Sequence, residues 1–440
     1  MTRWFCRKAC HGGPKPFIPF PRSNCMTRNA KPQNGLTRRR LLSTGVAAGA
    51  LTLAAPFIRS ARAASGPIKI GMVIPFTGAT GAYGPEMEKA AKLVVKTIND
   101  AGGLLGGRPV ELIIEDSETS PTAGAVATKK LLELNDVSCI IGYWGSPIAM
   151  ASKQLLIDAK KVMMVSCAAN PVTEQDHGGL IWRFQAKSTQ WGPAGAKIMK
   201  QRGYKNIAVL AQQNPFIMPM IDPFIAEFEK GGGKVVQNLT YLPEQPSYRA
   251  EVEKVFGGEP DAVFIPGLLT DFTSIMKEVY RGGFDSKVCT LSIAGDANGR
   301  FLKNVGPEVA EGIDHYQPAP PLTSPNYKKF IKMMGEPEDT VFLFAGNAFD
   351  QMWVAALAME KAGTDVSATW TKMVPEIANP PGALTGDGLE ALKLIRAGEK
   401  VAYVGAGADC DFNESGDQLN RHFLHRVIQD GNNEFVQTIS

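Results

Sequence analysis

Residues 1–64 of the 440-residue sequence contain no aspartate and no glutamate, although they hold 12 of its 47 lysines and arginines. The formal charge of +4 over the whole chain is therefore a property of that stretch. Beyond it 35 basic residues face 43 acidic ones, about −8 in net charge, so no positive footprint for a nucleic acid remains. Cysteine is scarce as well. Three of the seven fall in the first 64 residues, and Cys139, Cys167, Cys289 and Cys410 lack the tight spacing of a zinc or redox motif. The segments SCIIG, MMVSCAAN and KVCTLSI make the first three of these read as small buried hydrophobes in strands. Walker A and G-x-S-x-G motifs are missing, and the G-x-G of GAGADC has no helix after it, which leaves a dinucleotide site unsupported. His422 and His425 stand three apart on a strand and face opposite sides, while His177 and His315 fall in loops or connections. Glu115 and Asp116 end a strand with their side chains on opposite faces. No nucleophile, base and oxyanion site assemble from these residues. The expectation is a protein with no cofactor, no metal and no catalytic activity.

The stretch TRRRLLSTGVAAGALTLAAPFIRSARAA, Thr37 to Ala64, accounts for the leading charge. Its apolar run from Leu41 to Ile58 is built mostly of Ala, Gly, Thr and Leu and is broken by Gly45, Gly49 and Pro56. A membrane-spanning helix needs about 20 predominantly apolar residues, so this run is marginal. Arginines, a weak apolar segment and Ala61-Arg62-Ala63 before Ala64 describe a removable export signal. Arg38 and Arg39 resemble the pair of the twin-arginine signal, and a Sec signal with spare arginines is the other reading of the same residues. Residues 1–63 are accordingly read as a leader, with Met26 a second candidate start, and the mature protein is expected in the periplasm.

The remaining 377 or so residues are too many for one core and imply two domains. Strands dense in Val and Ile alternate with amphipathic helices. IKIGMVIPF leads into PEMEKAAKLVVKTINDAGG, where Met87, Ala90, Ala91, Val94 and Ile98 share one face and Gly102 ends the helix. VELIIEDS, SCIIGYW and VMMVSCA follow with helices between them, the pattern of a parallel sheet covered on both faces. The pattern restarts near IWRFQAKSTQWGP. A Pro-rich break at HYQPAPPLTSP precedes a mainly helical stretch from Asn326 to Ala397, and the tail, interrupted by NESGD and DGNN, reads as antiparallel hairpins.

The segment IKIGMVIPFTGATGAYGPEMEKAAKLVVKTINDAGGLLGGRPVELIIEDSETSPTAGAVATKKLL resembles the opening of the leucine/isoleucine/valine-type periplasmic binding proteins. A P-x-T/S-G turn, a Y-G before the first helix, N-x-x-GG-x-x-G and D-x-x-x-x-P-x-x-A occur there in order. The likeness continues through IIGYWGS, MMVSCAAN, IWRF, DAVFIPG and YVGAGADCDFNESGD, across roughly residues 66–440. It implies an α/β fold of two doubly wound lobes joined by three crossovers, with lobe one at 66–186 plus 318–398 and lobe two at 187–317 plus 399–440. The crossovers are expected near Phe184–Ala186, Tyr316–Pro318 and Ala397–Tyr403. It also implies a monomeric solute-binding protein that closes on a small amino acid, or a related acid or amide, and delivers it to an ABC permease. A ligand sensor on the same lobes is the alternative, with an enzyme behind it.

Ligands of parallel α/β sheets sit beyond the carboxyl ends of strands, beside helix N-termini that suit a carboxylate. Ser146-Pro147 opens such a helix, so Ser146 either binds an anion or only caps its own helix. Tyr83 either closes over the ligand or covers its loop. The resemblance places Ala168 and Asn170 on the ligand's α-substituents, with Asn170 in place of a threonine. It places Phe216 and Leu268 where tyrosines are common, and Ser292 where amino-acid binders carry the glutamate that meets an ammonium. Asp296 is the nearest acid to that position. A buried ammonium needs an anionic partner, so either Asp296 supplies it or the ligand has no ammonium. Trp144 beside Ser146 makes the lining more aromatic than a small polar amino acid requires.

Overall fold

The computed structural model describes residues 66–439 apart from residues 175, 297, 298, 319, 420 and 421. The export signal, with Arg38 and Arg39, lies outside the described residues.

Seven-residue and shorter strands of Val, Ile and Met form the first sheet. They are β1 (Ile68–Ile74), β2 (Val110–Asp116), β3 (Cys139–Trp144), β4 (Val162–Ser166) and β5 (Ile181–Arg183). Every neighbouring pair is parallel, in the order β2-β1-β3-β4-β5. The helices between them bury the faces read from their periodicity. In Gly84–Asp100 the buried side chains include Met87, Ala90, Ala91, Val94 and Ile98, and Gly102 follows the last turn at φ 93°.

The second sheet takes β6 (Asn206–Gln212), β7 (Lys234–Tyr241), β8 (Ala262–Phe264), β9 (Lys287–Leu291) and β10 (Asp314–Pro318). A short parallel pair follows in the chain, β11 (Ala383–Thr385) with β12 (Val401–Tyr403). The tail then returns to the second sheet as β13 (Phe423–Gln429) and β14 (Asn432–Ile439), giving the order β14-β13-β10-β9-β8-β6-β7. β13 and β14 form the antiparallel hairpin expected at DGNN. Its two-residue turn is Asp430-Gly431, with φ 50° and 74°, the positive pair a tight hairpin requires. Among the described residues, the stretch around NESGD makes isolated bridges, Val404 with Asp409, Phe412 with Gln418 and, to β5, Arg183 with Asp417.

Val401–Tyr403, in the segment expected to hold the third crossover, pairs with Ala383–Thr385. The backbone N–H groups of Ala406 and Gly407 then donate to the buried carboxylate of Asp350, at 2.7 and 2.8 Å. Asp350 belongs to helix Ala345–Ala362, buried at nearly every position, which is tied to the first sheet by Gln351: its Oε1 accepts from Gly142 N, and its Nε2 donates to Ser166 Oγ. The chain rejoins the second sheet only at Phe423. His315, in turn, is not in a connection: it is a buried residue of β10, its ring between Ser292 Oγ and Asn433 Oδ1, each 2.9 Å away.

Candidate functional site

The carboxyl ends of β3 and β4 face a cavity whose other side comes from the second sheet. Trp144 is the last residue of β3 and reaches the cavity after a register shift between Ile140 and Tyr143. Gly142 makes that shift at φ 89°, and a Cβ there would meet Ile74 and Met72 at 2.9 Å. Such a bulge re-aims the side chains that follow it. The Trp144 ring is braced from behind. Tyr83 stacks on it with centroids 5.3 Å apart, and Phe344 meets both rings edge-on at 5.0 and 5.5 Å. The buried Trp144 Nε1 and Tyr83 Oη have no hydrogen-bond partner. Burial, and after it the carboxyls of Glu86 and Asp296, push the Tyr83 phenol far above its ordinary value, so it stays neutral.

Helix Ser146–Asp158 starts directly after Trp144 and has no side chain capping its first turn. Ser146 Oγ instead accepts from Ala169 N at 3.1 Å, which joins the helix to the loop after β4. That loop is held by Arg183, a wholly buried arginine at the end of β5. Its Nη1 donates to Cys167 O at 2.7 Å and its Nη2 to Ala169 O and Thr173 Oγ1, while its Nε donates to Asp417 Oδ1 at 2.8 Å. Burial works to raise the Asp417 carboxyl, but Arg183, with Thr173 and Lys187, holds it below the ordinary range. One ion pair therefore fixes both the Cys167–Ala169 loop and the tail segment that carries Asp417.

The second sheet's side is apolar. Phe216 follows an Asn214 turn, its N–H donating to Asn214 Oδ1 at 2.8 Å, and its ring lies edge-on to Trp191 at 5.1 Å. Leu268 precedes helix Leu269–Gly282, and Ile293 follows β9. The structure brings Trp144, Ser146, Ala168, Phe216 and Leu268 to one cavity, together with Trp191, Ile293 and Phe344. A second cavity shares Gln185, Trp191, Ile293 and Phe344 with the first and runs on toward Gln317, Asn347 and Gln418. Among the described residues, no Asp, Glu, Lys, Arg or His lines either one.

Three expected site residues are placed elsewhere. Tyr83 lines neither cavity and acts as the backing of Trp144. Asn170 also lines neither: its Nδ2 reaches Thr189 Oγ1 at 3.5 Å and its Oδ1 is buried without a partner. Asp296 is engaged behind the second wall, accepting from Gly299 N at 3.1 Å and Asn433 Nδ2 at 2.9 Å, with Arg426 Nη1 3.6 Å away. Ser292 turns its hydroxyl to His315. The acid nearest the braced rings is Glu86, one turn into the first helix. Burial, only partly offset by a backbone hydrogen bond from Phe344, pushes its carboxyl up to about 8, so near neutrality it is mostly protonated. Sequence reasoning missed Arg183, whose only signal is a charge inside an apolar strand (IWRF). It also missed Phe344 and the glutamines, which carry no local motif.

Residues 67–409 match the model of a family described as periplasmic binding protein. A Leu/Ile/Val-binding protein, BraC3, of Rhizobium johnstonii is 24% identical over 344 residues, covering 76% of this chain and 92% of the relative. Among solved structures, a leucine-binding protein of Thermotoga maritima superposes with a TM-score of 0.71 at 20% identity, covering 85% of this chain and 99% of that one. A solute-binding protein of an R. palustris ABC transporter, in complex with benzoate, gives 0.67 at 16% identity, covering 85% and 96%.

Proposed function

The chain belongs to the periplasmic binding protein family, and from that premise we propose that it is the exported solute-binding component of an ABC importer whose cargo is a small carboxylic acid without an ammonium group. The observation that carries the cargo assignment is the lining: among the described residues, no acidic side chain lines either cavity. A closed site without an anion is costly for a buried ammonium. A carboxylate, by contrast, has the uncapped first turn of helix Ser146–Asp158 and its N–H donors. The rings of Trp144, Phe216, Trp191 and Phe344, with Leu268 and Ile293, suit an aromatic or branched apolar body. Proteins of this fold are solved in complex with isoleucine and with benzoate, so the fold leaves the choice to the residues of the site.

In this reading the two sheets form two lobes that hinge at the segments around Phe184–Ala186 and Tyr316–Pro318 and at a third passage beyond Tyr403. The cargo docks on the first lobe, the second swings over it, and the closed monomer is what the permease engages. The leader delivers the chain to the periplasm through the Arg38-Arg39 signal and is removed before about Ala64. Calorimetry with leucine, isoleucine, benzoate and phenylacetate tests the cargo class. The amine-free acids are expected to bind and the amino acids to fail, and Asp296→Asn is expected to leave Kd within about twofold. Micromolar leucine binding that Asp296→Asn weakens by more than tenfold would sink the assignment.

A further inference from the structure

The second cavity lies where the chain passes between the two sheets. Each passage contributes one glutamine to it: Gln185 just after β5, Gln317 in β10, and Gln418 in the tail. The passages are tied together there, because Gln418 N donates to Arg183 O at 3.1 Å and Gln418 Nε2 to Asp409 O at 2.7 Å. Gln317 is 3% exposed and Gln185 8%. The Oε1 of Gln317 is buried without any hydrogen-bond partner. An unsatisfied buried acceptor is destabilising, and a second-sheet strand keeps this one in place on a side chain that lines the cavity. The described residues that line the chamber are uncharged and offer a charged group no counter-ion.

Size narrows the occupant. The space open to a water-sized group is about 20 Å³ in this chamber. The neighbouring cavity, walled by Trp144 and Phe216, offers about 70 Å³ by the same measure and is the roomier of the two. The two spaces adjoin, with Gln185, Trp191, Ile293 and Phe344 lining both. A ligand whose ring fills the larger space therefore points one end into the smaller.

We propose that this chamber is a distal subsite of the cleft, and that it takes a single uncharged hydrogen-bond donor, a ring hydroxyl, from the far end of the ligand to Gln317 Oε1. The proposal rests on the reading of the cleft as a site for amine-free acids and narrows that class to hydroxylated ones. A hydroxyl fits a water-sized space and supplies the proton that the orphaned carbonyl oxygen lacks. A site built to meet a hydroxyl discriminates strongly against the analogue without it, because the buried acceptor is left unpaired. The neighbouring amide of Gln185 gives the hydroxyl oxygen a donor within the same lining. Positive selection for the hydroxyl thus comes from the passages between the sheets, away from the helix that meets the carboxylate.

The test is calorimetric titration of the full mature chain with benzoate, 3-hydroxybenzoate and 4-hydroxybenzoate. At least one hydroxy acid is expected to bind tenfold or more tightly than benzoate. Gln317→Leu, checked for folding by thermal unfolding, is expected to erase that advantage while changing benzoate affinity less than threefold. Equal affinities for benzoate and both hydroxy acids on the native chain overturn the subsite and leave the acid reading standing, and this comparison needs no variant. A hydroxyl advantage that survives Gln317→Leu also overturns it. Binding of leucine with none of the three acids overturns both readings.

Discussion

The two sides of the cleft differ in the way they are held. The first-sheet side is preorganised: a bulged strand aims Trp144, two rings brace it, Ser146 is tied to Ala169, and Arg183 binds the loop carbonyls. The second-sheet side presents Phe216, Leu268 and Ile293, which offer area but no polar hold, while its charges, Asp296 and Arg426, are spent behind it. Orientation then comes from the first side and enclosure from the second. A cargo can dock on the first alone, with closure adding apolar burial and the exclusion of water.

The strongest way to break this asymmetry is Arg183→Ala. It leaves Asp417 buried with only Lys187 and Thr173 against it and takes the donor from Cys167 O, and removal of one partner from such a pair typically costs about 3–5 kcal/mol. Denaturant unfolding is expected to show that loss, together with binding too weak to measure. A stability within 1 kcal/mol of the native chain would mean that the loop is held by other means.

The asymmetry itself is sharpened by comparing walls. Trp144→Ala is expected to weaken cargo binding by on the order of 2 kcal/mol, roughly 30-fold, and Phe216→Ala by about 1 kcal/mol, roughly fivefold. Calorimetry on both variants with one acid checks the ranking. A larger effect at Phe216 would reverse the division of labour.

The smallest effect concerns the backing of the first wall. Because the Glu86 carboxyl is raised from 4.5 to about 8, the folded state keeps a proton that the unfolded state loses. The associated stability is full below about pH 4.5 and drains away as pH rises toward 8. Glu86→Gln is expected to flatten that decline by on the order of 1–2 kcal/mol between pH 5 and pH 8. Thermal unfolding across that range measures it, and parallel curves for the two chains would show that Glu86 is ionised in the folded protein.

Local pattern made much of the architecture legible. The face shared by Met87, Ala90, Ala91, Val94 and Ile98 is the buried face of its helix, and DGNN is the hairpin turn. The third passage between sheets was not legible, because what holds Ala406 and Gly407 to the first lobe is Asp350, 56 residues away. Trp144, Ser146, Ala168, Phe216 and Leu268, named from strand ends and family likeness, line one cavity. The surroundings of Asp296 were not legible, because sequence proximity to Ser292 says nothing of Asn433 and Arg426, which come from the final hairpin to its carboxylate.

Sequence alone determined the parallel strands, the helix faces, the uncharged character of the residues at the ends of β3 and β4, and the absence of a glutamate at Ser292. Each of these is set by the side chain itself or by neighbours within a turn or two. Tertiary structure decided the rest: which acids are spent, which rings back one another, and the meeting of Gln185, Gln317 and Gln418 in one chamber. Those contacts join residues more than a hundred positions apart, and no local propensity encodes them, because their energies exist only once both sheets have formed.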